Sequence, residues 1–207
     1  MKSLYTITAI CLLAGSLSAQ VIIIPNGDFE DGATNWVHVA GNGDTTPVTF
    51  ATGGNPGGYG TVTPVGGWGI LVSPTLAGNV GGGVPIGDLG LTAGEPVTFV
   101  YDSINLTGPG PAGGFKWEAW GNNALVGNTG DTFPSVIGTG TTWETYTYDW
   151  VLPAGTDKLI FVPLWAGGDN PSTIGFDNVG VIPEPSTYAA LFGLFALGFV
   201  AWRRRRC

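Results

Sequence analysis

Cysteine is nearly missing from this 207-residue chain: Cys11 lies near one end and Cys207 is the last residue. Both fall in segments that read as removable ends, so the region between them has no disulfide, thiol nucleophile or thiolate metal cage. Cys11 follows Ile10 inside an apolar stretch, which argues against a lipid-attachment site. Positive charge is as scarce. Lys2 and Arg203 to Arg206 sit at the termini, leaving Lys116 and Lys158 against fifteen acidic residues between Asp28 and Glu184, a formal charge of −13. That balance excludes nucleic acid as a partner. The one histidine, His38, stands between Val37 and Val39, where a lone imidazole is more often a structural or surface group than a base. Gly-x-Ser-x-Gly, His-Glu-x-x-His and phosphate-loop motifs are absent. No sustained helical period appears outside the two ends.

What is present is glycine (36), proline (15) and 24 aromatic residues: eight Trp, six Tyr and ten Phe. Disordered chains lack large apolar groups to bury, whereas here aromatics recur in alternating segments with Gly/Pro clusters between them. Strands are expected at Val21–Ile24, Asn35–Val39, Val48–Ala51, Gly69–Ser73, Pro96–Asn105, Gly114–Trp120, Thr142–Leu152, Lys158–Trp165 and Thr173–Val181. Trp143 to Val151 is the clearest. Glu144, Tyr146, Tyr148 and Trp150 share one face, which should meet the core, while Trp143, Thr145, Thr147 and Asp149 share the other. Val97, Phe99 and Tyr101 likewise share a side. About 160 residues with strands at this spacing imply one all-β domain, an antiparallel two-sheet sandwich.

The two ends read as targeting segments. Lys2, the apolar Ile7 to Leu13 and small residues up to Ser18-Ala19 form a signal peptide helix (1–19), cut after Ala19. At the other end, residues 183–207 combine Pro183-Glu184-Pro185, an uncharged run from Tyr188 to Trp202, and Arg203, Arg204, Arg205 and Arg206. The run of fifteen, as a hydrophobic transmembrane helix (188–202), reaches about 22 Å, short of a hydrocarbon core of roughly 30 Å. Arginines hold that end on the cytoplasmic side, so the rest of the chain lies beyond the inner membrane. A buried core helix would not end in four adjacent charges. The order resembles the PEP-CTERM sorting signal of Gram-negative bacteria. That resemblance implies an exosortase, a membrane-embedded cysteine transpeptidase, as partner, transient residence in the inner membrane, and export to the envelope, cell surface or matrix. A permanently retained anchor is the alternative.

The region 20–182 resembles the galactose-binding-like jelly roll of carbohydrate-binding modules. The residues that carry this are Asn26-Gly27-Asp28-Phe29-Glu30-Asp31-Gly32 with Trp36, Leu91-Thr92-Ala93-Gly94-Glu95-Pro96-Val97-Thr98-Phe99, Thr142 to Tyr146, and Ile174-Gly175-Phe176-Asp177-Asn178-Val179. The glycine-rich stretch Gly53 to Gly87 departs from the pattern. The resemblance implies one structural calcium held by the Asp28 backbone oxygen and the Glu30 and Asp177 carboxylates, a hard-oxygen set suited to that ion. Otherwise Phe29 is a core residue and the acids are solvated turn residues. Sugar stacking needs exposed aromatic faces: Trp36, Trp68, Trp117, Trp120 and Trp165 are candidates, with Asn122, Asn123, Asp169 and Asn170 as polar partners, although packing is the commoner use of tryptophan. Trp117 and Trp120 fall on opposite faces of their strand, one in and one out. The leading reading is a secreted, non-enzymatic, exosortase-sorted sandwich; the alternatives are a polysaccharide-binding module and a glycan-cleaving enzyme using Glu118 and Glu144.

Overall fold

The computed structural model describes residues 20–41, 49–62, 68–72, 82–107, 113–129, 141–166, 173–183 and 198. Val21–Pro183 forms one compact unit, and the terminal residues form a separate one. The expected signal helix and the expected span from Tyr188 to Trp202 lie outside the described residues, apart from Gly198, which is helical. No helix among the described residues is long and apolar enough to cross a membrane.

The strands are β1 (Ile22–Ile23), β2 (Val37–Gly41), β3 (Thr49–Gly54), β4 (Gly57–Val62), β5 (Trp68–Val72), β6 (Val84–Pro85), β7 (Pro96–Thr107), β8 (Gly113–Gly121), β9 (Ala124–Asn128), β10 (Glu144–Val151), β11 (Lys158–Ala166) and β12 (Thr173–Pro183). They form two antiparallel sheets, as expected of a jelly-roll sandwich. Sheet A runs β10-β7-β12-β4-β3, with β1 beside β12; sheet B runs β2-β5-β11-β8-β9, with β6 beside β11.

The core follows from alternation. Val97, Phe99 and Tyr101 of β7 are almost wholly buried, and β10 lies along β7 with Tyr146 opposite Tyr101 and Tyr148 opposite Phe99. Tyr146, Tyr148 and Trp150 therefore turn inward and pack on the core, the face predicted for them. Sheet B answers with Trp117, whose ring stacks on Phe99 (centroids 4.5 Å apart) and on Tyr148 (5.3 Å). Burial of the Tyr101 phenol pushes its pKa well above the usual tyrosine range.

Three strands were not expected. β4 reads Gly57-Gly58-Tyr59-Gly60-Thr61-Val62, too rich in glycine to look like a strand. Its glycines are there because the N-terminal loop lies against it: a Cβ on Gly60 would sit 2.7 Å from the Phe29 ring, and one on Gly58 2.5 Å from the Phe29 carbonyl oxygen. β6 is two residues long, and β9 is mostly exposed. Asn122 and Asn123, both at positive φ, make the two-residue turn from β8 into β9, a hairpin signal that was present in the sequence.

Candidate functional site

Two groups of polar residues stand out, one on each sheet. The first is built by the N-terminal loop, the end of β12 and the β3–β4 turn. Asn26 fixes the loop: its side-chain oxygen accepts the Asp31 N–H (2.9 Å), and its amide donates to the carbonyls of Gly32 (2.9 Å) and Thr34 (2.6 Å). The Trp36 indole N–H closes the loop by donating to the Asn26 carbonyl at 2.7 Å. Phe29, in the left-handed region at φ 53°, turns its ring inward to stack on Trp36 at 4.7 Å. That turn leaves Glu30 facing the β3–β4 turn, where its Oε1 accepts the Gly58 N–H at 2.8 Å.

Asp177 reaches the same turn from the sheet. In β12 the register shifts between Asp177 and Gly180, with Asn178 at φ 50°, so Val179 leaves β7 and pairs with Gly27 of the N-terminal loop. Asp177 is fully buried; its carboxylate accepts N–H groups from Asn55 (2.5 Å) and Asn178 (2.7 Å). Directly across the β7 pairing lies Asp102, which accepts from the side chains of Thr145 (2.6 Å), Asn178 (2.8 Å) and Asn55 (3.1 Å). The Asn178 amide also donates to the Asn55 carbonyl. Burial, followed by the charges of Asp102 and Asp28, pushes the Asp177 carboxyl up to about 6, against the lowering effect of its two hydrogen bonds.

The donor chemistry here fits a hard cation. Glu30 and Asp177 approach one turn, Asp28 and Asp102 add negative charge, and the two described lysines, Lys116 and Lys158, belong to sheet B. Among the described residues no three His, Cys, Asp or Glu side chains gather closely enough to hold an ion, so backbone carbonyls such as that of Asp28 would have to complete the set.

The second group lies on the outer face of sheet B. Trp120 is half-buried there, while Trp117, three residues earlier, is fully buried on the inner face. The Trp120 N–H donates to Glu118 (3.1 Å), and Glu118 pairs with Lys116 (3.0 Å), so the three alternate residues of β8 form one connected row. The register sets Lys158, Ile160 and Val162 of β11 opposite Trp120, Glu118 and Lys116, and sets exposed Leu125 of β9 opposite Trp120 on the other side. Lys158 donates to the Asn123 side chain at 3.1 Å, which brings the β8–β9 turn to the end of the row. The arrangement is a half-buried indole, with exposed Leu125 on the β9 side and buried Ile160 and Val162 along β11, rimmed by carboxylate, ammonium and amide groups.

This placement sorts the candidates. Trp36 and Trp117 are core residues and drop out as surface ligands, because a stacked, buried ring offers no face to a sugar. Trp120 stays at the surface, with Asn123 near it. The side chains of Trp68, Trp165 and His38, and the residues Asp169 and Asn170, lie outside the described residues. Glu118 and Glu144 do not form a facing pair. Glu118 is on the outer face of sheet B, whereas Glu144 is on the edge strand of sheet A, accepting from the Tyr146 hydroxyl at 2.6 Å. Two residues of the sheet A network were missed by the sequence reading, Asn55 and Asp102. The first lies in a glycine-rich turn and the second in a strand where an isolated acid carries no signal.

The chain matches the PEP-CTERM protein-sorting motif over residues 181–206. The motif implies export and exosortase-dependent sorting to the bacterial cell surface. No curated protein matches the sequence. Among solved structures, the sandwich is similar to a family 11 carbohydrate-binding module from Clostridium thermocellum, solved with a beta-1,3-1,4-mixed-linked tetrasaccharide (15% identity, 80% of this chain and 97% of that one, TM-score 0.54). It is also similar to the enzymatically active domain of tailspike protein 4 from bacteriophage CBA120 (13% identity, 79% of this chain, TM-score 0.57); the match covers 22% of that longer chain. A Stig cyclase from Fischerella sp. TAU is similar as well (16% identity, 81% of this chain and 99% of that one, TM-score 0.52). At these identities the likeness establishes the jelly-roll fold of carbohydrate-binding modules and leaves function to the site.

Proposed function

We propose that this chain is an exported, non-enzymatic module of a Gram-negative envelope or extracellular matrix that binds polysaccharide on the outer face of sheet B. The observation that carries the reading is the Trp120 row. A pyranose offers an apolar face and a rim of hydroxyls; the half-buried indole meets the first, and Glu118, Lys116, Asn123 and Lys158 meet the second. The indole is fixed by its bond to Glu118, so little rotamer freedom is lost on binding. A formal charge of −13 between Asp28 and Glu184 disfavours anionic glycans, so the ligand class is a neutral polysaccharide.

Calcium, held by Glu30, Asp177 and the Asp28 carbonyl, would supply positive charge to the acidic group and fasten the N-terminal loop to the last strand. Its role would be structural. The residues themselves fasten the β3–β4 turn by accepting the Gly58 and Asn55 N–H groups.

Affinity electrophoresis of the exported protein in gels containing neutral and acidic polysaccharides tests the binding reading. Retardation by a neutral polymer that is lost in Trp120→Ala is the expected result. Equal mobility in every gel would leave only a structural role. Deleting residues 183–207 should change the cellular destination, and identical fractionation of truncated and full-length chains would refute sorting by the tail.

A further inference from the structure

The sorting motif and the folded sandwich share residues. The motif match begins at residue 181, whereas β12 continues to Pro183, so Val181, Ile182 and the first proline of Pro-Glu-Pro belong to both. In the sheet these three residues are committed. Val181, Ile182 and Pro183 lie opposite Phe99, Thr98 and Val97 of β7. On the other side, Gly180 and Val181 pair with Ile23 and Ile22 of β1. Val181 is fully buried, and a Cβ added to Gly180 would lie 2.6 Å from the Ile22 carbonyl oxygen.

A processing enzyme that takes its substrate as an extended strand needs free backbone on both sides of the bond it cuts. Here the backbone preceding Glu184 is already paired within the sandwich, on both sides at Gly180 and Val181 and towards β7 at Ile182 and Pro183. Because β1 and β12 are antiparallel neighbours, the start of β1 and the end of β12 lie at the same end of sheet A. The chain's first described strand and the first three residues of the motif match therefore lie at one end of sheet A.

We propose that the folded sandwich gates the processing of its own sorting signal: cleavage falls C-terminal to Pro183, and release of the Ile182–Pro183 end from β7, which frees the backbone just upstream of the cut, limits its rate. The inference rests on the sorting reading above. The bond broken is a peptide bond beyond Pro183. Its acyl carbon passes to water or to an amine acceptor, and the departing tail keeps the nitrogen, which takes the proton the nucleophile gives up. Val181 to Pro183 thus act as an upstream stop, protecting the last strand from being trimmed together with the signal.

The test follows full-length chains by pulse labelling in the native host, with intact mass of the mature product. One variant carries an eight-residue Gly/Ser spacer between Ile182 and Pro183; a milder one, Ile23→Pro, loosens β1 and leaves β7 and the motif unchanged. The expected results are a wild-type product ending at Pro183 or later, spacer processing at least about fivefold faster, and a smaller acceleration in Ile23→Pro, as expected when strand-end opening precedes cutting. Wild-type and spacer rates within twofold of each other would overturn the gate while leaving the sorting reading intact. A wild-type product ending at Ile182 or earlier would do the same. Retention of Trp202 in all three chains would overturn both the gate and processing itself.

Discussion

The outer faces of the two sheets use polar residues in opposite ways. On sheet A, Asp102, Asp177, Asn55, Asn178 and Thr145 satisfy one another across four segments, and the two aspartates are buried beneath the turn they hold. On sheet B, Glu118, Lys116 and Lys158 form a row along neighbouring strands, around an indole that keeps part of its surface in solvent. A network closed on itself specifies structure, because each buried polar atom is costly to leave unpaired. Polar groups arranged beside a half-buried aromatic that keeps one part in solvent can exchange water for a ligand. The same residue types thus support architecture on one sheet and recognition on the other.

The sharpest way to break this comparison lies within one strand. Trp117→Ala should destabilise the sandwich by about 3–5 kcal/mol in chemical denaturation, because it removes a buried ring stacked between Phe99 and Tyr148. Trp120→Ala, three residues on, should leave stability within about 1 kcal/mol and weaken polysaccharide binding roughly tenfold by calorimetry. Matching losses of stability in both variants would erase the division between the faces.

Next in size is Asp102→Ala, which strips three donors of their acceptor and should cost about 2–4 kcal/mol with no direct effect on the sheet B face. A thermal shift below 1 °C would mean the network adds nothing. The pH dependence follows from Asp177. Its folded pKa, about 6, lies above that of an unfolded aspartate, so the folded state binds this proton more tightly. Its contribution to stability is therefore present at low pH and is lost as pH rises from about 4 through 6, on the order of 3 kcal/mol in all. Chelator-treated protein should show this trend in its melting temperature, and Asp177→Ala should lack it; superimposable profiles would assign the dependence elsewhere. The smallest effect concerns Glu30, which is exposed. Glu30→Gln should change stability by under about 1 kcal/mol in chelator, yet abolish any rise in melting temperature on adding millimolar calcium. Absence of a rise in the wild-type chain would remove calcium from the picture.

Much of the fold was legible because alternation is a local property. Val97, Phe99 and Tyr101, and Tyr146, Tyr148 and Trp150, announce their faces without reference to any partner, and both rows turn inward. β4 was illegible for a non-local reason. Its glycines look like loop residues until Phe29, about thirty positions away, is seen lying against them. The candidate sites were readable in part. Glu30 and Asp177 were noticed through their motifs, but Asn55 and Asp102 acquire meaning only when a turn, a bulge and two strands converge. Trp117 and Trp120 were separable by parity alone, though not which of them faced outward.

The amino-acid order by itself determined three things: an all-β body between the two ends, because aromatic alternation between glycine and proline breaks carries no sustained helical period; an acidic body without thiols; and a sorting signal at the C-terminal end, whose proline pair, apolar run and arginines act through local chemistry. The tertiary structure alone decided which tryptophan remains at the surface, which acids are enclosed, and that Pro183 ends a paired strand rather than starting a free tail. Those depend on which distant segments meet, and strand pairing across a sandwich is fixed by shape and burial between residues that carry no mark of one another in sequence.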